Sequence, residues 1–209
     1  MKKFLKVLLI AIILVIVLFG IGCLRKVIII NKLNKVAEET KNKYESNFAV
    51  EINGQALEFD SFIDTEITVN KDEAVIKETS ITKKSGGKIV KTTYNLEDEF
   101  VGTIETDDSK MYYITDKEEL PTLNIYEGNL KNILSSNVKK AKLKDVDVYI
   151  ISTEENIYFV NAKNGLILKT VDLLNNTTHE YKYELGNVKE EIELPDLEGY
   201  ERLYLSEEN

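Results

Sequence analysis

The sequence predicts a mainly β (α+β) protein: an N-terminal transmembrane helix, then an open antiparallel half-barrel sheet with one leading helix and one short covering helix. Three observations carry this. Val7 to Leu24 (VLLIAIILVIVLFGIGCL) runs for 18 residues without a charge. From Leu57 onward, apolar and polar residues alternate with a period of two. Turn signals then recur at short intervals to the end of the chain.

At about 1.5 Å per residue the charge-free run makes a helix of roughly 27 Å, close to the apolar thickness of a bilayer. Three readings of this N-terminus are open. Met1-Lys2-Lys3-Phe4-Leu5-Lys6 before an apolar core has the layout of a cleaved secretory signal, but the core is long for one. Phe19-Gly20-Ile21-Gly22-Cys23 loosely fits a bacterial lipoprotein cleavage site, with Gly20 a poor match. An uncleaved anchor accounts best for the residues after Cys23. Instead of a polar tether, the chain continues Leu24-Arg25-Lys26-Val27-Ile28-Ile29-Ile30. Ile30, Leu33, Ala37 and Tyr44 then recur at helical spacing, with Ile29 and Val36 beside them. The expected division is 1–30 membrane anchor, 31–46 juxtamembrane helix and 47–209 β domain.

The net charge of −9 is unevenly spread. Residues 1–43 hold nine Lys/Arg and two Glu, whereas residues 44–209 hold 18 Lys/Arg and 34 Asp/Glu. So acidic a domain repels nucleic acid, and its charge also serves solubility. Basic residues on the domain side of the helix would, counted strictly, place the domain in the cytoplasm. The export-like layout, and the insensitivity of long domains to that count, place it outside. Cys23, the single cysteine, permits no intrachain disulfide and no Cys-based metal site.

Along the domain, Asn34 to Ser46 extends the helix, and Phe48-Ala49-Val50 opens the first strand. Asn53-Gly54 reads as a hairpin turn. Leu57, Phe59, Ile63, Ile67 and Val69 share one face of a strand; Glu58, Asp60, Asp64 and Glu66 share the other. Turns at Asn70-Lys71-Asp72, Ser85-Gly86-Gly87 and Asp107-Asp108-Ser109 separate strands at Ala74–Lys83, Lys88–Leu96, Phe100–Glu105 and Met111–Thr115. Lys117–Pro121 is a loop, and Asn129–Ser136 a short helix. Strands resume at Val146–Ser152 and Ile157–Asn161. Asn164-Gly165 turns the chain into Leu166–Leu173, and Asn175-Asn176 turns it into Thr178–Leu185. A last extended segment, Val188–Leu194, ends at Pro195, and Glu207-Glu208-Asn209 should fray. This makes about ten strands in one domain, without internal repeats.

Tests for chemistry find no catalytic residue, cofactor or metal site. His179, the single histidine, shares a strand face with Tyr181, Tyr183 and Leu185 and has no orienting acid or nucleophile at a useful spacing. Asp107-Asp108, Glu118-Glu119, Glu154-Glu155 and Glu190-Glu191 do not form a calcium loop. Lys83-Lys84 with Gly86-Gly87-Lys88 lacks phosphate-loop spacing. Lys139, Lys140, Lys142 and Lys144 suit an edge strand guarded against aggregation, or a contact for anionic lipid. Tyr112, Tyr113, Tyr126, Tyr149, Tyr158 and Phe159 suit core and cross-strand packing, or the lining of a cavity.

Tyr149-Ile150-Ile151, followed by Ile157 to Lys169 (IYFVNAKNGLILK) and later Leu194-Pro195, resembles the closing strands of the LolA/LppX-like lipoprotein-carrier half-barrels. In their Y-V-D-x-x-T-G-L-x-L-K hairpin, Asn161 stands here for the Asp and Asn164 for the Thr. The Arg-Lys-apolar exit from the membrane is also similar to that of anchored single-domain proteins of clostridial-type bacteria. The carrier resemblance implies an open half-barrel closed by helices around acyl chains, and transfers no binding residue. An uncleaved anchor departs from a carrier that must shuttle. The resulting expectation is a non-enzymatic, extracytoplasmic, membrane-anchored domain. Its partners would be the bilayer through Val7–Leu24 and an apolar ligand or lipoprotein of the envelope. The alternative is a sensor or assembly protein acting only through protein contacts.

Overall fold

The computed structural model describes residues 2–56, 61–82, 87–96, 100–115, 119–188 and 192–204. One unbroken helix, α1 (Lys2–Tyr44), covers both the charge-free run and the stretch after it. With strong helix formers and no proline, nothing in its sequence interrupts it. Its two halves have opposite surroundings. The large apolar side chains from Val7 to Leu24 are exposed, and the helix is long and apolar enough to cross a membrane. In the second half Ile30, Leu33, Ala37 and Thr40 are buried, while Ile28 is 60% exposed. This i, i+3, i+4 stripe is the one legible in the sequence.

The stripe packs on a single 12-stranded sheet, whose order is β12-β6-β5-β4-β3-β2-β1-β11-β10-β9-β8-β7. Strands β1 (Asn47–Ala56), β2 (Ser61–Asn70), β3 (Glu73–Thr82), β4 (Lys88–Asn95), β5 (Phe100–Glu105) and β6 (Lys110–Thr115) form a meander outward from the centre. The chain then crosses one sheet face to the opposite edge through α2 (Leu130–Ser135). From that edge it returns through β7 (Asn137–Leu143), β8 (Val146–Ser152), β9 (Asn156–Asn161), β10 (Ile167–Asp172) and β11 (Thr177–Leu185). Strand β11 closes the gap by pairing with β1 from Phe48↔Leu185 to Ala56↔Thr177. All these pairings are antiparallel; β12 (Glu201–Arg202) alone pairs parallel, against β6.

Two apolar clusters hold the layers together. Ile30, Leu33, Tyr126, Ile133, Ile151, Val160 and Ile167 join α1 and α2 to the β8–β10 half. Phe48, Val50, Val69, Ala74, Leu123 and Leu166 join the central strands to the crossover segment. The register explains the second cluster: Phe48 stands opposite Val69 on one side and Leu185 on the other.

Several expectations need correction. Asn53-Gly54 is not a turn. Both residues lie inside β1, paired to Asp64 and Ile63 on β2 and to Glu180 and His179 on β11. Glycine is needed there for space, since a Cβ would lie 2.9 Å from the Ile63 carbonyl oxygen and 3.1 Å from His179 Nδ1. The described part of the next strand begins at Ser61, and Leu57 to Asp60 lie outside the described residues. So do Lys83, Lys84 and the Ser85 and Gly86 of the expected turn, Lys117 and Glu118, Glu190-Glu191 and Glu207-Glu208-Asn209. In the described part of Val188–Leu194 the chain is irregular, and the closing strand comes later, at Glu201–Arg202. Among the described residues twelve strands replace about ten: β7 and β12 are the additions, and β7 falls where the lysine alternation suggested an edge.

The Asn164-Gly165 turn is where expected, with Gly165 at φ 72°. The sequence does not reveal why its tip is so constrained: a Cβ on Gly165 would lie 2.5 Å from the Ala37 Cβ of α1. Gly165→Ala therefore meets a backbone cost of about 1–2 kcal/mol for the left-handed conformation and a steric clash as well. The double variant with Ala37→Gly should recover the steric part only, as chemical denaturation of the four-variant cycle would show. Leu33→Ala should cost about 2–5 kcal/mol and Ile28→Ala almost nothing; equal losses in a denaturant titration would refute the stripe.

Candidate functional site

Among the described residues, the crossover segment and the β8–β9 end of the sheet border a groove of about 660 Å³. Short β-type bonds lay the crossover on the sheet. Tyr126 N–H donates to the Gly165 carbonyl at 3.2 Å, and Ile167 N–H donates to the Asn124 carbonyl at 3.1 Å. An isolated bridge joins Ile125 to Leu166. The Tyr183 hydroxyl sits beneath, 3.0 Å from the Ile167 carbonyl oxygen and 3.3 Å from that of Asn124. Burial holds this phenol protonated well above the usual range.

The other end of the segment is clamped by the helix. Asn34 Nδ2 donates to the Gly128 carbonyl at 3.0 Å, and its Oδ1 accepts from Gly128 N–H at 3.3 Å. A Cβ on Gly128 would lie 2.7 Å from Ile30 Cγ2 and 2.8 Å from the Tyr126 ring. Just beyond, the Asn129 side chain caps α2 by accepting from Asn132 N–H at 2.9 Å. Lys26 Nζ donates to the Ser136 carbonyl at 2.6 Å, tying the far end of α2 to α1.

This strap divides two open grooves. The larger, about 660 Å³, is lined by Tyr126, Tyr158, Asn132 and Ser135, with Glu127, Glu154 and Glu155 at its margin. The smaller, about 470 Å³, lies between the strap and Asn34, Glu38, Lys41 and Asn42 of α1. Tyr126 and Tyr158 meet edge to face at 5.5 Å, and burial raises both phenols. Neither can act as a base near neutral pH. Thr153 is occupied in its own turn, accepting from Asn156 N–H at 2.9 Å. The arrangement can offer hydrogen bonds and carboxylates to a polar partner. Among the described residues no group of three or more His, Cys, Asp or Glu could hold a metal ion.

The residues singled out in the sequence are scattered. His179 packs over Gly54 and does not line the larger groove. Asp107 and Asp108 sit in an exposed turn closed by Thr106 and Ser109. Glu154 and Glu155 occupy the β8–β9 turn. Lys139, Lys140 and Lys142 lie on edge strand β7, with Lys140 3.8 Å from Asp147. Lys144 and Lys169 both hold Glu180 at 3.0 Å, and these bonds lower its pKa. Of the aromatic set, Tyr126 and Tyr158 line the groove and Tyr149 packs on the core. The Tyr113 ring covers Gly102, while Tyr112 and Phe159 occupy the alternate register positions.

Sequence reading missed the Asn34–Gly128 clamp. Its signal was a polar residue inside the buried stripe, between Leu33 and Ala37, which must find partners when it is covered. Comparison with protein-family models finds no match, and comparison with curated proteins finds none either. Asn34→Ala removes both clamp bonds, so stability should fall by about 1–3 kcal/mol. Exchange of the Gly128 amide hydrogen should rise with it; unchanged protection at Gly128 would show that the clamp is idle.

Proposed function

We propose that this chain is a single-pass membrane protein whose β domain lies outside the cytoplasm and binds another envelope component through protein contacts, without catalysis. The observation that carries the reading is the continuity of α1. The same helix that is apolar enough to span a bilayer also supplies the buried Ile30, Leu33 and Ala37 of the domain core. A domain built onto its anchor in this way is held at a fixed height and angle. That suits a station on the membrane and not a shuttle.

In this reading the open sheet is a half-barrel of the lipoprotein-carrier kind whose sheltered face is taken by its own helix and strap. The larger groove favours a polar partner, since carboxylates and amides line it. Acyl-chain carriage has less support, because an acyl site is enclosed and mostly apolar.

Two measurements on the full chain test the proposal. Lys163→Cys, in a Cys23→Ala background, should react with a membrane-impermeant maleimide in intact cells; protection until lysis would put the domain inside. Native mass spectrometry of the detergent-released protein should show no stoichiometric lipid, and lysine cross-linking in membranes should yield a discrete protein adduct. A bound acyl lipid with no adduct would favour the carrier instead.

A further inference from the structure

The path of α1 over the sheet says which end of the domain faces the apolar half of the helix. Lys26 is bonded to Ser136, the residue before β7 begins. Eleven residues on, Ala37 touches Gly165, which follows the end of β9. Seven further on, Tyr44 touches Gly186, just past the end of β11. Strands β7, β9 and β11 run the same way, because each is separated from the next by one antiparallel neighbour. Helix α1 therefore descends toward the rim where β7, β9 and β11 start, and its exposed apolar half leaves the domain there. By the same alternation, the β8–β9 and β10–β11 turns lie on this rim, with the ends of β1 and β3 and the starts of β2 and β4.

The β10–β11 turn on this rim carries two adjacent leucines, Leu173 and Leu174, 47% and 72% exposed. The turn is braced. Asp172 Oδ1 accepts from the backbone N–H groups of Leu174 and Asn175 at 2.8 and 2.9 Å, and Oδ2 accepts from Asn175 Nδ2 at 2.8 Å. Leu173 N–H is tied to the Glu155 carbonyl at 2.8 Å. The leucines are thus held outward by a structured loop. Leu134 on α2 and Ile63, Ile81 and Ile89 near the rim are exposed as well, whereas toward the opposite rim Val146, Ile114 and Tyr204 are exposed without an adjacent apolar pair on a turn among the described residues.

We infer that the Leu173-Leu174 turn, with Leu134 beside the helix exit, inserts into the interface of the bilayer that α1 crosses. The domain then rests on the lipid at a second point. This rests on the anchor reading above. A phospholipid surface is the occupant that fits, because the turn faces the same direction as the charge-free helix. Asp172 and Glu155 are bonded to the turn that carries the leucines, so the contact is apolar insertion and not attraction to anionic headgroups. Interfacial apolar groups typically reach about 5–10 Å into the headgroup–acyl boundary.

The test uses the full chain in phosphatidylcholine vesicles, labelled with the environment-sensitive fluorophore nitrobenzoxadiazole. Leu174→Cys and, separately, Lys144→Cys on the opposite rim are made in a Cys23→Ala background; native Cys23 is labelled in a third sample. The label at 174 should emit to the blue and be quenched several-fold more by doxyl-labelled lipid than the label at 144, with no gain when anionic lipid is added. Equal quenching at 174 and 144 would overturn the inference. So would a label at 174 that is shielded from aqueous iodide yet untouched by doxyl lipid, which would assign the turn to a protein partner or a second copy. Quenching at Cys23 separates the two levels: Cys23 quenched and 174 not quenched defeats the second contact alone, whereas an unquenched Cys23 defeats the anchor itself. Leu173→Cys repeats the measurement should Leu174→Cys misfold by circular dichroism.

Discussion

Burial of one helical stripe against one sheet face holds this architecture together. Ile30, Leu33 and Ala37 are essentially removed from solvent, and each large apolar side chain so buried contributes about 1.5–3 kcal/mol. An antiparallel sheet of this size has one face that needs cover. Here the cover is the chain's own N-terminal helix, assisted by the crossover strap and α2. The domain and the apolar segment before it are therefore mechanically one body, with no linker between them.

That constraint explains features that look unrelated in the sequence. Gly165 and Gly128 each sit where a Cβ would collide with the helix or with the strap held against it. Asn34 is polar within a buried stripe because it must satisfy the backbone of the passing strap. Gly186, at φ 71°, lets the end of β11 pass the Tyr44 ring, where a Cβ would lie 2.9 Å away. Each of these positions serves the helix–sheet seam and not a turn type alone. Asn47 then fastens the start of β1 to the segment after β11, accepting from Val188 N–H at 3.1 Å and donating to its carbonyl at 3.1 Å.

The polar character of the two grooves comes from the same packing. Once the apolar face is covered by α1, the larger groove is bordered by turn residues whose amides and hydroxyls close local hydrogen bonds, and the smaller by polar residues of α1 itself. The phenols there are pushed toward their neutral form by burial, which suits recognition and not proton transfer.

The local elements were legible in the residues alone. A charge-free run, a stripe at helical spacing, period-two alternation and Asn-Gly or Asn-Asn turns are short-range signals, and most hairpins fell where those signals lay. The edge character of β7 was legible too, because lysines spaced along a strand are costly inside a sheet. It took the folded chain to make Asn53-Gly54 strand interior, since the reason lies on two other strands, in the Ile63 carbonyl and the His179 ring. The pairing of β1 with β11, the parallel β12, the partner that Asn34 finds in Gly128 and the grooves were likewise illegible. Each joins residues distant along the chain, such as Phe48 and Leu185, and no local periodicity records which distant partner a strand or a polar side chain will meet.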